Sequence, residues 1–260
     1  MMNEFSTNKS DDQHKESIRL RIIRILYWPY KWLIFIPLLF LITLIWGSLS
    51  IMLATIFNAK TGMKFGGSPW AKLCCLAALV FVNVKQRENI IPNKSYVVVS
   101  NHQSLFDIFA LVAWLGIDLR WVAKSSLKKV PIFGIASVKM DHIFIDRSNP
   151  ETAVETLNNA KKNIVNGTSV MFFPEGTRSK TGELKSFKKG AFKMALDLGI
   201  PILPITIRGT GRIQPPGTID LVPGKVEIVI HPQIEIADYS ENILADLIQQ
   251  TRDVIGSALP

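Results

Sequence analysis

The chain has 260 residues, 48% of them hydrophobic, with 30 Lys and Arg against 21 Asp and Glu and a formal net charge of +9. That length holds one α/β domain with an accessory segment, and the apolar content supplies a sizeable core without a disulfide framework. The basic balance, with a sequence pI near 9.6, favours an anionic partner, which could be nucleic acid, anionic lipid or a phosphorylated substrate; the absence of any nucleic-acid motif, together with a long apolar segment, favours lipid.

Residues 1 to 16 are polar and mixed in charge, and read as a disordered tail. From Ser17 to Lys31 the character changes: Ile22, Ile25, Leu26 and Trp28 are interleaved with Arg19, Arg21 and Arg24, and no acid follows Glu16. This is the composition of a basic interfacial segment. It leads into Trp32 to Ala59, a run without a charged residue that exceeds the roughly 20 residues a spanning helix needs. Lys and Arg flank the run on both sides, so the positive-inside rule divides its vote. A second apolar run, Leu73 to Val84, is too short to span but long enough to lie in one leaflet or pack on the first. Pro37 and the Gly47-Ser48 pair offer bend points. A half-inserted hairpin that keeps both basic flanks in the cytosol is therefore expected over a single span. Cys74 and Cys75, the only cysteines, lie in the second run and fit a reducing cytosolic face.

Beyond Arg87 the pattern alternates. Strands are expected at Ser95 to Ser100, Leu119 to Ala123, His142 to Asp146, Ser169 to Phe173 and Ile202 to Arg208, and helices at Leu105 to Leu115, Pro150 to Val165 and Lys188 to Leu198. Strands separated by helices imply an α/β fold, a largely parallel sheet flanked by helices, here with an N-terminal hydrophobic helical membrane anchor. Thr218 to Val222 and Lys225 to His231 read as a hairpin turned at Pro223-Gly224, and Asn242 to Ile255 as a closing helix. The expected division is a tail over 1–16, interfacial segment and anchor over 17–86, and the α/β domain over 87–260.

The stretch Asn101-His102-Gln103-Ser104-Leu105-Phe106-Asp107 follows the β-branched run Tyr96 to Ser100. It reads as strand, tight turn and helix, with Ser104 as the cap and an acid in the first helical turn. With His102 in the turn, the Asp107 carboxylate can fold back onto one imidazole nitrogen and leave the other free. That is the base-plus-orienter half of a catalytic triad. No G-x-S-x-G elbow occurs in the chain, so a dyad that activates a substrate hydroxyl is the natural chemical reading. On spacing alone an ordinary turn-and-cap pair is an equal alternative.

The Asn-His-x-x-x-x-Asp pattern after a strand resembles the first motif of the glycerolipid acyltransferases, specifically the 1-acyl-sn-glycerol-3-phosphate acyltransferase family. Three later segments match in order: Lys124 through Pro131-Ile132-Phe133-Gly134 to Phe144-Ile145-Asp146-Arg147; Phe173-Pro174-Glu175-Gly176-Thr177-Arg178-Ser179; and Ile200 to Ile205. The resemblance covers roughly residues 94 to 207. It implies transfer of a fatty acyl group from acyl-coenzyme A or acyl carrier protein to the 2-hydroxyl of 1-acyl-glycerol 3-phosphate, giving phosphatidic acid, with the active site on the cytoplasmic face of a membrane. It also carries Glu175, Gly176 and Arg178 over as binders of the acceptor's phosphate and glycerol.

Residue chemistry adds detail. Arg178 offers a planar fork suited to phosphate in a glycine-bearing turn with Gly176 and Thr177. Lys124 and Arg147, at strand ends, could supply further cations at the same rim, although surface cations are usually just solvated. Lys180, Lys185, Lys188 and Lys189 form a basic loop that could face anionic lipid or the phosphates of coenzyme A, or simply water. His14, His102, His142 and His231 lack metal-ligand spacing, so neither metal nor resident cofactor is expected. Asp141-His142, neighbours at a strand start, are given no catalytic part. Gly209-Thr210-Gly211 lacks the third glycine of a dinucleotide fingerprint. Two other readings stay open: acyl transfer to a different acceptor, such as a lysophospholipid or glycerol 3-phosphate, and a non-enzymatic protein that binds anionic lipid.

Overall fold

The computed structural model describes residues 18–146, 148–164 and 166–259. The expected tail, Ser17 and the candidate site residue Arg147 lie outside the described residues.

Val97, Val98 and Val99 show why the chain forms a two-sided sheet. Val97 and Val99 face one apolar cluster, with Val170, Phe192, Ala195 and Leu247, while Val98 faces the other, with Leu111, Leu203 and Ile205. Period-two alternation sends successive side chains to opposite faces, and both faces are covered, so the strand reads as an unbroken β-branched run. The strands are β1 (Val80–Lys85), β2 (Val97–Ser100), β3 (Asp118–Lys124), β4 (Ile143–Ile145), β5 (Thr168–Phe172), β6 (Ile202–Arg208) and β7 (Gly224–Ile230), in the spatial order β1-β7-β6-β2-β5-β3-β4. All adjacent pairs are parallel except β6 with β7. The expected α/β fold with a largely parallel sheet is what the chain forms. Because β2 lies between β5 and β6, the carboxyl ends of β2 and β5 emerge side by side, the edge at which open α/β sheets bind ligands.

A 39-residue helix, α1 (Ile18–Ile56), opens the described chain. At 1.5 Å per residue it is about 58 Å long. Its Lys31–Phe35 stretch is π-helical, just ahead of Pro37. Proline removes one helical hydrogen bond and crowds the preceding turn, and the widened turn absorbs both. The chain then turns back through a single helical turn, Ala59–Gly62, capped by the Asn58 side chain, into α2 (Ser68–Ala77). The two helices are antiparallel, and the α/β domain meets α1 at Arg24, Lys31 and Gly47: Arg24 pairs with Asp220 at 3.3 Å, Lys31 Nζ donates to the Ile219 carbonyl at 3.0 Å, and a Cβ at Gly47 would lie 2.5 Å from Ile132. Tyr27 and Tyr30 donate to the carbonyls of Ala78 and Ala77 at 3.0 and 2.9 Å, and Trp70 Nε1 donates to Thr43 Oγ1 at 3.1 Å. Toward the far end Gly66 packs so closely on Ser50 that a Cβ would lie 2.7 Å from its Cα.

Helices α3 (Phe106–Trp114) and α2 cover one sheet face, and α6 (Gly190–Leu198) and α7 (Leu244–Ser257) the other; α4 (Phe133–Lys139) and α5 (Pro150–Ala160) flank the β4 edge. Two expectations are corrected. The apolar run Leu73 to Val84 is not one membrane segment: it ends α2 at Ala77 and then forms β1, so the sheet begins at Val80, inside the span expected for the anchor. Nor is there a hairpin at Pro223-Gly224. Thr218 to Val222 is irregular, and β7 pairs with β1 and β6 instead. Nothing in the alternation of either segment identified its partner, because a buried strand and a buried helix share an apolar run.

Candidate active site

Asn101 ends β2 by substituting its side chain for main chain: Nδ2 donates to the Ile207 carbonyl at 2.9 Å and Oδ1 accepts the Ile207 N–H at 2.8 Å. The ladder to β6 thus continues one residue past the strand, and His102 projects from a fixed point. Asp107, fully buried in the first turn of α3, reaches back. Its Oδ2 lies 2.7 Å from His102 Nδ1 and accepts the N–H groups of Gln103 at 2.7 Å and Ser104 at 2.8 Å. Ser104 Oγ in turn accepts the Phe106 N–H at 3.2 Å. The acid thus ties the main chain just ahead of α3 as well as the histidine, and the N-cap itself is Leu105 rather than the expected Ser104. With Nδ1–H donating to the carboxylate, the tautomer leaves Nε2 as the acceptor; among the described residues nothing hydrogen-bonds to Nε2.

The Phe173–Ser179 motif grips the first. Glu175 is only 5% exposed; its Oε1 accepts the His102 N–H at 2.8 Å and its Oε2 the Lys185 N–H at 3.2 Å. Burial pushes its carboxyl above the ordinary value, against those two backbone bonds. The Ser179 N–H closes the latch on the His102 carbonyl at 2.7 Å. Phe173 stacks on the His102 ring with centroids 3.9 Å apart and planes 12° from parallel. No local signal marks Phe173 for this part, since the stack joins residues far apart in the chain.

His102 lines a cavity of ≈ 280 Å³ whose walls are mostly apolar and include Thr43 and Trp70 from the helical hairpin. Lys124, exposed at the end of β3, and Arg178, half-buried, line the same cavity. Arg178, Lys124 and His102 are thus brought together. Gly176 and Thr177 are placed differently: Gly176, at φ +72°, packs under the Lys188 side chain, and Thr177 Oγ1 accepts from Lys185 Nζ at 3.0 Å. His142 lines the cavity too, but burial and the charge of Arg120 push it down to about 3, so it is neutral at physiological pH. No group of three or more His, Cys, Asp or Glu side chains among the described residues could hold a metal ion. Near the start of α3 the N–H groups of Gln103, Ser104 and Phe106 already have acceptors.

A histidine–aspartate pair at the carboxyl edge of a mostly parallel sheet, beside an apolar cavity with cations at its wall, suits group transfer to a lipid hydroxyl, and residues 81–208 match the family model described as Acyltransferase. A 1-acyl-sn-glycerol-3-phosphate acyltransferase of Chlamydomonas reinhardtii is 33% identical over 96% of this chain and 74% of its own length. One from Pseudomonas aeruginosa is 31% identical over 83% of this chain and 84% of its own. The chain belongs to the 1-acyl-sn-glycerol-3-phosphate acyltransferase family. A chloroplastic member from Arabidopsis thaliana is 40% identical over 59% of this chain, which spans 43% of that relative's length. The crystal structure of the 1-acyl-sn-glycerophosphate (LPA) acyltransferase PlsC from Thermotoga maritima shares the fold, with a TM-score of 0.70 at 24% identity, covering 93% of this chain and 96% of that one.

Proposed function

We propose that the protein transfers a fatty acyl group from a thioester donor, acyl-coenzyme A or acyl carrier protein, to the 2-hydroxyl of 1-acyl-glycerol 3-phosphate, giving phosphatidic acid. The observation that carries the reading is the 2.7 Å contact between His102 Nδ1 and Asp107 Oδ2, which orients a ring at the wall of an apolar cavity also lined by Arg178. His102 Nε2 takes the hydroxyl proton as the oxygen attacks the thioester carbonyl, and Asp107 stabilises the imidazolium that forms. Collapse of the tetrahedral intermediate breaks the carbon–sulfur bond, and the imidazolium returns its proton to the departing thiolate. No acyl-enzyme is required. Arg178, with Lys124, holds the acceptor's phosphate so that the hydroxyl is presented to His102, and such positioning is worth several kcal/mol of barrier.

Membrane attachment belongs to the same reading. The helical hairpin presents Leu33, Phe40, Leu41, Ile56 and Phe57 to the surroundings, and the domain lies along α1 rather than beyond one of its ends. A hairpin inserted in one leaflet, with the active site on the cytoplasmic face, accommodates both facts.

The test is thiol release by the purified protein in detergent, with and without 1-acyl-glycerol 3-phosphate, for wild type and His102→Ala. Acceptor-dependent release that disappears in a folded variant is expected. Release independent of acceptor would instead make the protein a thioesterase, and a folded, active His102→Ala would remove the dyad from the mechanism.

A further inference from the structure

The sheet has an amino edge as well as a carboxyl edge, and a groove of ≈ 460 Å³ opens there. Asn93 and Lys94 ahead of β2, Asp118 at the start of β3 and Gly167 ahead of β5 line one side of it, whereas His102 sits past the carboxyl end of β2. The other side is the turn of the helical hairpin, with Lys60, Met63, Lys64 and Ser68. The groove therefore spans the junction of hairpin and α/β domain. Among the described residues it shares only Met63 and Val112 with the apolar cavity that holds His102.

Its charge is positive and largely uncompensated. The one lining acid, Asp118, is already taken: its two oxygens accept from the Arg120 guanidinium at 2.6 and 3.0 Å, and Oδ2 also accepts the Thr168 hydroxyl at 2.8 Å. Lys94 pairs with Glu235 at 3.5 Å. Arg87 donates to the carbonyls of Leu115, at 3.3 Å, and Trp114, neutral acceptors that fix the guanidinium without cancelling its charge. Lys60 and Lys64 are exposed, and neither makes an ion pair among the described residues. The hairpin surface beside these cations is apolar, since Ile56, Phe57 and Phe65 are all exposed. A cationic concavity bordered by bare apolar side chains matches one kind of ligand, an amphiphile with an anionic head.

We propose that this groove binds the headgroup of an anionic membrane phospholipid, its phosphate held by Lys60, Lys64 and Arg87 and its acyl chains laid along the exposed side chains of the hairpin turn. The inference rests on the membrane attachment read above and adds to it a discrete lipid site at the edge of the sheet opposite the catalytic one. Diffuse attraction to a charged surface requires only exposed cations; here the cations stand in a concavity walled by Ser68 on the hairpin and Asn93 on the domain, which gives a headgroup a fitted place.

The experiment is flotation of the full chain with vesicles of phosphatidylcholine alone and of phosphatidylcholine mixed with phosphatidylglycerol, and the readout is the ratio of the two affinities. The proteins compared are wild type, His102→Ala, Lys60→Gln/Lys64→Gln and Ser68→Leu; the last obstructs the groove and changes no charge. Wild type should prefer the anionic vesicles, and His102→Ala should match it, which separates this site from the acyl-transfer reading. Lys60→Gln/Lys64→Gln should lower the ratio about tenfold. Ser68→Leu should lower it in the same direction, and covers the case in which the double variant fails to fold. KM for 1-acyl-glycerol 3-phosphate, measured in detergent, should not change in either. An unaltered ratio in the folded double variant would overturn the site. A ratio lowered by the double variant but untouched by Ser68→Leu would reduce the groove to surface charge and overturn it equally. Equal binding of wild type to both vesicles would remove the site and leave membrane attachment standing, whereas binding to neither would remove both.

Discussion

Glu175 Oε1 accepts the backbone N–H of His102 at 2.8 Å, and through this one bond the turn after β5 is latched to the turn after β2. The acid thereby fixes the main chain from which the proposed base projects. Its carboxyl is raised above the ordinary 4.5 by burial, with the His102 and Lys185 backbone bonds pulling the other way. A raised pKa means the folded chain holds the proton more tightly than the unfolded one. The group's contribution to stability is then fully present below 4.5 and declines as pH rises through the raised value.

Glu175→Gln, which does not titrate, exposes that slope. The melting temperature of wild type relative to the variant should fall as pH climbs through the carboxylate range, followed by scanning fluorimetry from about pH 4 to about pH 8. A difference moving the other way would mean that the two N–H bonds outweigh burial. At neutral pH the amide can serve one N–H well but turns a donor toward the other. We expect turnover to drop by about 10²-fold as His102 shifts.

Asp107 has two duties, and Asp107→Asn separates them. Its Oδ2 orients His102 and accepts the Gln103 and Ser104 N–H groups. An asparagine that keeps its oxygen on the backbone donors presents N–H₂ or a weaker acceptor to the ring, favouring the wrong tautomer. Loss of turnover by about 10⁴-fold is the outcome expected for such a change. The capping contribution falls by only about 0.5–2 kcal/mol, so circular dichroism should report a folded protein. A variant that is inactive because it is unfolded would leave Asp107 with its capping duty alone.

Arg178 is tested by its geometry. If its fork holds the acceptor's phosphate, Arg178→Lys keeps the charge and loses the bidentate contact. KM for 1-acyl-glycerol 3-phosphate should rise about tenfold while the KM for the acyl donor stays put, and Arg178→Ala should do worse on the same axis. Equal changes in both KM values would make Arg178 an element of the cavity wall rather than a phosphate ligand.

What could be read from sequence divides by the range of the interaction. The His102–Asp107 pair was legible because five residues, a turn and a first helical turn fix it locally, and the Val97–Val99 run announced a two-sided strand. Glu175 was not, since the bond that defines its place joins residues 73 apart. The edge strand β1 was hidden in an apolar run contiguous with α2. Only the pairing Val82↔Val226, far away in the chain, makes Val80–Lys85 a strand. The false hairpin had the converse cause, a Pro-Gly turn signal with no strand on its amino-terminal side.

The placement of α1 yields the last prediction. A helix crossing the bilayer would carry its two basic flanks to opposite sides, yet one α/β domain touches α1 both at Lys31, whose Nζ donates to the Ile219 carbonyl, and at Gly47, which packs on Ile132. Arg19 and Lys60, both exposed, bracket nearly the whole helix. Arg19→Cys and Lys60→Cys variants in sealed right-side-out and inverted vesicles should therefore react with a membrane-impermeant maleimide from the same side. The native thiols do not interfere: Cys74 and Cys75 are buried, and burial alone pushes Cys74 up to about 12, so neither supplies thiolate at neutral pH. Labelling from opposite sides would require the contacts of α1 with the α/β domain at Lys31 and Gly47 to open in the membrane, and the in-plane arrangement would have to be given up.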